Sequence, residues 1–283
     1  MREWSHKKGS ADDGTGDVRP DVEESMKKSE RPKTEPSTSS LVRGLLVLES
    51  FTREKQSYSL TNLSKSLGIP KSSLHRVVKD LSLMNYLRYE EQSRCYYLGT
   101  RILSLGFSLL RSMELREIAR PYLEKLSREF NKTVNLAVFD RDEMVYVERI
   151  RVPGLRAFNI SVGARLPVWN TAVGKVVLAY LATQRLKELL EKSKSFPGFK
   201  ISEHRLMNEL AEIRKNGFAL NEQEFNRGIL AVAAPVFSDT GVVCAVNMIA
   251  EPEDASIDTL REQYAPGLMA VARELSKALG YQE

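Results

Sequence analysis

From Leu41 to Leu81 the apolar residues recur at helical spacing. Leu41, Leu45 and Leu48 mark a helix over about residues 41–51, and Leu63 and Leu67 mark a shorter one with Thr61 placed to cap it. Gly68 and Ile69 then turn the chain, and Pro70 suits the first position of a third helix. There Leu74, Val77, Val78 and Leu81 fall at i, i+3, i+4 and i+7, which makes one buried stripe. The remaining surface carries Lys71, Ser72, Ser73, His75, Arg76 and Lys79, a set of hydrogen-bond donors. Two short helices joined by a tight glycine turn, the second basic, match a helix-turn-helix that reads DNA. An ordinary helical hairpin with a solvated basic face has the same pattern. The flanks separate the two readings. Tyr86 to Tyr89 and Cys95 to Leu98 are β-prone, and the polar stretch from Glu90 to Arg94 lets them pair as a hairpin. A hairpin directly after a recognition helix is a wing, with Arg94 near its tip and Glu90 and Glu91 limiting its pull on phosphate.

Behind the wing, Arg101 to Met113 is apolar on more than one helical face, which predicts a connecting helix that also packs against a second subunit, or else a core helix. Ile118, Tyr122, Leu123 and Leu126 form an amphipathic helix that Pro121 should kink or divide. Residues 133–139 and 143–150 read as a hairpin, Gly163 to Pro167 as a loop, and a helix begins near Thr171. Leu206 to Asn216 is helical. Residues 229–236 and 242–250 are apolar strands around the turn at Ser238 to Gly241, and Leu260 to Leu279 carries one long helical stripe. Helices mixed with hairpins predict an α+β fold: an N-terminal winged helix-turn-helix, a linker helix, and a C-terminal α/β domain with a mainly antiparallel sheet.

Charge sharpens this division. Residues 40–101 carry a net +5, against −1 for residues 1–39 and +1 for residues 102–283, so the basic excess lies on the DNA-reading candidate. Residues 1–39 hold almost nothing apolar and read as a disordered tail. The only cysteines, Cys95 and Cys244, lie far apart without metal-ligand spacing and read as structural filler. No apolar run is long enough to span a bilayer and no signal peptide opens the chain, so the expected location is the cytoplasm. The three histidines are His6, His75 and His204, and none stands beside a nucleophile or a base; no phosphate-cradling loop or metal cluster appears. An enzyme tethered to DNA is therefore the weaker reading, and no cofactor is expected. A nonspecific architectural DNA protein would not need so large and nearly neutral a second domain.

The chain resembles the IclR-type bacterial transcriptional regulators from about Ser40 to Gly280. The residues that carry the likeness are Leu41 to Leu45, Gly68 to Arg76 and Tyr97-Leu98-Gly99 in the first half. In the second half they are Gly163 to Pro167, Gly174-Lys175, Arg214 to Phe218, Glu224 with Gly228, and Ala233 to Val236. The resemblance implies a winged-helix reader over 40–100, a dimerising linker over 101–117 and a sensor-like effector domain over 118–283. It implies homodimers or tetramers on palindromic double-stranded operators, repressing or activating a catabolic operon. Matching the motifs places the effector site at Leu155, Phe158, Ala172, Val173, Asn221, Ala231, Met248 and Ala250, although Phe158, Met248 and Ala250 could equally be core. The helix N-terminus near Thr171 suits a carboxylate. Apolar residues at 231, 248 and 250, with Phe158 and Trp169 near, point to an aromatic acid. Arg165 and Lys175 are candidate carboxylate anchors or subunit contacts, Glu224 a structural acceptor of backbone hydrogen bonds, and His204 has no assigned partner.

Overall fold

The computed structural model describes residues 39–52, 55–152, 160–193 and 202–282. The chain forms two compact units that meet in sequence between Ile118 and Ala119.

The N-terminal unit runs α1 (Ser40–Glu49), β1 (Ser57–Tyr58), α2 (Leu60–Leu67), α3 (Lys71–Leu83), β2 (Leu87–Glu90), β3 (Cys95–Leu98) and α4 (Arg101–Ser112). Its core gathers Val47 of α1, Leu63 of α2, Leu74, Val77 and Val78 of α3, and Leu87 of β2. The cap of α2 is Ser59, whose hydroxyl accepts from the Asn62 amide at 3.2 Å, and not Thr61, which lies inside the helix. Gly68, at φ 66°, ends α2 in the left-handed region, where a side chain would be strained. Pro70 stands one position before α3 and not within it. The wing carries a strand that the sequence pattern does not reveal: β1 pairs antiparallel with β3, giving the order β1-β3-β2. Two residues are too few to show an alternation. The stripe on α1 is also rotated from expectation. Gly44, Leu46 and Val47 face the core, while Leu41 and Leu45 are exposed. No residue of α4 is buried.

A long helix, α5 (Glu114–Phe130), follows a break at Met113 and runs unbroken through Pro121. Pro121 is exposed, so the Glu117 carbonyl that loses its amide partner is open to hydration and no division results. The C-terminal unit then continues as β4 (Thr133–Asp140), β5 (Glu143–Ile150), β6 (Arg165–Pro167), α6 (Ala172–Tyr180), α7 (Thr183–Ser193), α8 (Glu203–Asn216), β7 (Ala219–Glu222), β8 (Leu230–Ser238) and β9 (Gly241–Ala250). The chain ends in α9 (Ile257–Thr259), a π-helical turn over Leu260–Tyr264, and α10 (Ala265–Ala278). All six strands pair antiparallel in the order β6-β5-β4-β9-β8-β7. The segment expected as a loop thus supplies an edge strand, β6. The strand β7 and the helix α7 were likewise not legible.

Alternation sorts the sheet into two faces. Ala231, Ala233, Ala245 and Ile249 pack in one cluster with Val173, Val176 and Val177 of α6 and Leu206, Leu210 and Ile213 of α8. The residues between them point the other way, and α10 also packs on β8 and β9. Covering both faces explains why β8 and β9 read as nearly unbroken apolar runs. Alanines at the contact let α6 sit close. Gly174 is required for the same reason, because a Cβ there would lie 2.3 Å from the Val168 backbone.

Candidate DNA-reading face and effector cleft

On α3, burial of Leu74, Val77 and Val78 leaves Lys71, Ser72, His75, Arg76 and Lys79 exposed, with Ser73 half-buried. The turn before it is pinned by the Ser64 hydroxyl, which donates to the Ile69 carbonyl at 2.7 Å. None of the four cationic or imidazole side chains takes part in an ion pair or hydrogen bond among the described residues, which leaves their donors available to an incoming anion. Arg94 is exposed in the wing turn at φ 51°. The neighbouring acid is already engaged. Glu90 accepts from the Ser93 hydroxyl at 2.8 Å and the Tyr97 hydroxyl at 3.2 Å, and Arg88 stands 3.6 Å away. These hydroxyls, then Arg88, hold its carboxyl below the usual range. Two hydroxyls and a guanidinium thus soften the repulsion that Glu90 would exert on phosphate.

The second site lies where α6 begins. Thr171 caps the helix: its Oγ1 accepts from the Gly174 amide at 3.2 Å and donates to the Pro167 carbonyl at 2.7 Å. Ala172 and Val173 open the helix, so their amides have no intrahelical acceptor. Asn221 of β7 donates to the Asn170 carbonyl at 2.7 Å and accepts from the Glu224 amide at 3.3 Å. Across from it, Tyr146, Asn247, Phe225, Ile229 and Ile249 complete a cleft of about 20 Å³, close to the size of one water site. Its polar wall extends inward. Asn247 donates to the Tyr146 hydroxyl at 3.4 Å, and Asn135 donates to Asn247 Oδ1 at 3.1 Å. Burial pushes the Tyr146 phenol up to about 12, only partly offset by its Asn247 bond and by Arg149, so it stays a neutral donor.

Of the expected effector residues, Ala172, Asn221 and Ala231 line this cleft, and Val173 is buried in the adjoining core. Met248 and Ala250 do not reach it. Met248 pairs with Val232 and Ala250 with Leu230, one residue out of phase with the Ala231–Ile249 pair, so both face the opposite side of the sheet. Leu155 and Phe158 lie outside the described residues. Sequence reasoning missed Tyr146, Asn247 and Phe225. A signal existed for one of them: Asn247 interrupts an apolar strand and pairs in register with Asn135, another polar residue in an apolar run.

The candidate cationic anchors are otherwise engaged. Arg165 bonds Glu143 at 2.9 Å and Asp140 at 2.5 Å. Lys175 is fully buried, with Nζ 2.6 Å from Glu209 and 2.6 Å from both oxygens of Glu224. Glu224 therefore accepts from a buried ammonium, and its part in backbone bonding is as donor to Asn221. His204 is exposed, with Nε2 3.2 Å from the Asn208 amide nitrogen. Cys244 is buried and burial pushes its thiol up, while Cys95 is half-buried; both are free. No helix among the described residues is long and apolar enough to cross a membrane.

A winged helix-turn-helix whose basic recognition face is unpaired among the described residues, followed by a unit holding a polar-walled cleft, defines the class: a DNA-binding regulator with a separate sensor domain. Residues 40–91 match the IclR helix-turn-helix domain and residues 107–277 match the bacterial transcriptional regulator IclR C-terminal domain. The chain belongs to the IclR family of bacterial transcriptional regulators. It is 33% identical over 253 residues to the HTH-type transcriptional regulator XynR of Escherichia coli, covering 87% of this chain and 99% of that one. It is 29% identical over 256 residues to the p-hydroxybenzoate hydroxylase transcriptional activator of Acinetobacter baylyi, covering 87% and 94%. A crystal structure of a transcriptional regulator from Rhodococcus sp. RHA1 superposes with a TM-score of 0.73 at 28% identity, covering 86% of this chain and 98% of that one.

Proposed function

We propose that this regulator works in the cytoplasm as a homodimer, or a tetramer built from dimers, that places α3 of each subunit in the major groove of a palindromic operator. Lys71, Arg76 and Lys79 reach phosphates or base edges, Ser72, Ser73 and His75 add shorter contacts, and Arg94 of the wing meets backbone phosphate. The observation that carries this reading is the exposed face of α3, whose donors have no partner among the described residues. Dimerisation is supported by α4, where Leu103, Leu105, Phe107 and Leu109 are each more than half exposed, and by Leu41 and Leu45 of α1. Water disfavours such a surface, and a second copy of the same helix covers it.

The cleft at α6 takes a small carboxylic acid. The Ala172 and Val173 amides receive its carboxylate at the positive end of the helix, Phe225, Ile229 and Ala231 hold its apolar body, and Tyr146 and Asn247 meet a polar group at its far end. A ring with a hydroxyl opposite its carboxylate fits that order; p-hydroxybenzoate, on whose hydroxylase the Acinetobacter relative acts as transcriptional activator, has that shape. The cleft must widen to admit it, so binding selects an opened state and can shift the operator-binding population only by its differential affinity for that state. Its described lining consists of amides, hydroxyls and hydrocarbon, groups that bind rather than react; catalysis is not part of this reading.

Fluorescence anisotropy on the upstream intergenic DNA, against a scrambled duplex and across a salt series, tests both halves. Selective binding that changes on adding 4-hydroxybenzoate supports the reading. Equal binding to both duplexes rejects the specific regulator, and selective binding indifferent to every acid offered rejects the effector.

A further inference from the structure

The opposite end of α6 borders a second and roomier cavity, which shares no lining residue with the effector cleft. Tyr180, the last residue of α6, meets Phe237 of β8 edge-on with ring centroids 5.1 Å apart, and Phe237 stacks on Tyr281 at 5.1 Å and 28°. With Pro235, Met269 and Ala272, these rings border a cavity of about 190 Å³. An apolar cavity of roughly 150 Å³ is enough to take up benzene. The floor makes no polar demand on a ligand, because the Ser276 hydroxyl accepts from the Phe237 amide at 3.0 Å and donates to the Ala272 carbonyl at 2.7 Å. Arg273 lines the cavity from the exposed side of α10 and has no ion-pair partner among the described residues. No described lining residue is acidic. Positive charge also reaches it from Arg214, which donates to the Ala179 carbonyl at 2.6 Å beside Tyr180.

We propose that this cavity is a second ligand site, for an aromatic ring bearing one anionic group: the ring packs among Tyr180, Phe237 and Tyr281, and the anion pairs with Arg273. The site is distinct in its described lining from the effector cleft, yet α6 and β8 serve both. Helix α6 has nine residues, so about 13 Å separates its two ends. A ligand seated against Tyr180 thus acts on the same rigid element whose N-terminus faces the effector.

The test uses the full chain labelled at its methionine methyls, with the Met269 signal assigned through Met269→Leu. Benzoate is titrated in, with benzyl alcohol as the ring without charge and acetate as the charge without ring. The expected result is a saturable shift of the Met269 signal with benzoate and little with either control. Arg273→Gln should weaken this binding about threefold to fivefold, the scale of one exposed ion pair, and Tyr281→Ala should weaken it through the lost ring contact. Arg273 is exposed and Tyr281 only half-buried, so neither substitution opens the core and folding is preserved. Asn221→Ala in the effector cleft should keep a saturable Met269 shift with benzoate, and loss of the shift in that variant would assign the signal to the effector cleft and overturn the proposal. An unmoved Met269 signal, benzyl alcohol binding as tightly as benzoate, or equal affinity in Arg273→Gln and Tyr281→Ala as in the unaltered chain would each overturn the proposal.

Discussion

Helices α3 and α6 put the same residue type to opposite use. In α3, Lys71 and Lys79 are exposed and unpaired among the described residues, held ready for an anion on another molecule. In α6 the single charged side chain, Lys175, is fully buried between Glu209 and Glu224. The first arrangement gives up internal stabilisation to keep charge available for DNA. The second spends its charge inside the protein, tying α6 to α8 and to the loop that carries Phe225. An ammonium contributes to recognition or to architecture according to burial, not according to its neighbours in the sequence.

The sharpest way to break that contrast is Lys175→Met. Removing the ammonium leaves two carboxylates facing each other in a mostly buried site. Each is about a third exposed, which softens the penalty. A loss of about 2–4 kcal/mol of stability is expected, read as a lowered urea midpoint, with part recovered in the double variant Lys175→Met, Glu224→Gln. A midpoint unchanged within error would mean that the triad holds nothing together.

Tyr146 offers a second buried polar group to set against the exposed ones. Its phenol moves from an ordinary value of 10.0 to about 12 on folding. For an acid whose folded value is raised, the contribution is complete below pH 10 and is lost as pH rises from 10 towards 12. The chain should therefore lose about 2–3 kcal/mol over that interval through this group alone, and Tyr146→Phe should show a shallower alkaline decline. Parallel curves for the two proteins would contradict the burial.

On the exposed helix, Arg76→Ala should cost operator binding about 1–3 kcal/mol and, where Arg76 meets phosphate, reduce the salt slope by about 1. The urea midpoint and effector affinity should stay where they were. A parallel fall in stability would move Arg76 from the reading face to the fold.

The same contrast explains what was legible. The reader's chemistry projects outward from a regular helix, so a 3.6-residue period alone separated Leu74, Val77 and Val78 from the donors. The cleft is assembled by register across strands and by backbone amides, which carry no side-chain signature. Motif resemblance proposed Ala172, Asn221, Ala231, Met248 and Ala250 alike. The first three line the cleft, while Met248 and Ala250 stand one position out of phase on the other face of the sheet, and an unbroken apolar run offers no local pattern by which to tell the two faces apart. Tyr146 and Asn247 come together only through the pairing of β4 with both β5 and β9. The short strands β1 and β6 depend on partners distant in sequence, and β7, although it pairs with the next strand β8, is only four residues long; no local pattern announces any of the three. On α1, Leu41, Leu45 and Leu48 mark the helix by their period, yet Leu41 and Leu45 are exposed and Gly44, Leu46 and Val47 are buried, because a helical period does not show which face of the helix is covered.

The smallest effect concerns the start of the reader, where two hydroxyls two residues apart compete for one role. The Ser59 hydroxyl accepts from the Asn62 amide, whereas Thr61 lies within the first turn of α2. Ser59→Ala should lower stability by about 1 kcal/mol, the usual worth of an N-cap. Thr61→Ala should change it by no more than a few tenths, since alanine favours a helix interior. Because α2 positions the turn into α3, Ser59→Ala should also weaken operator binding slightly more than Thr61→Ala does. The reverse order in both measurements would return the cap to Thr61 and shift the beginning of the helix by two residues.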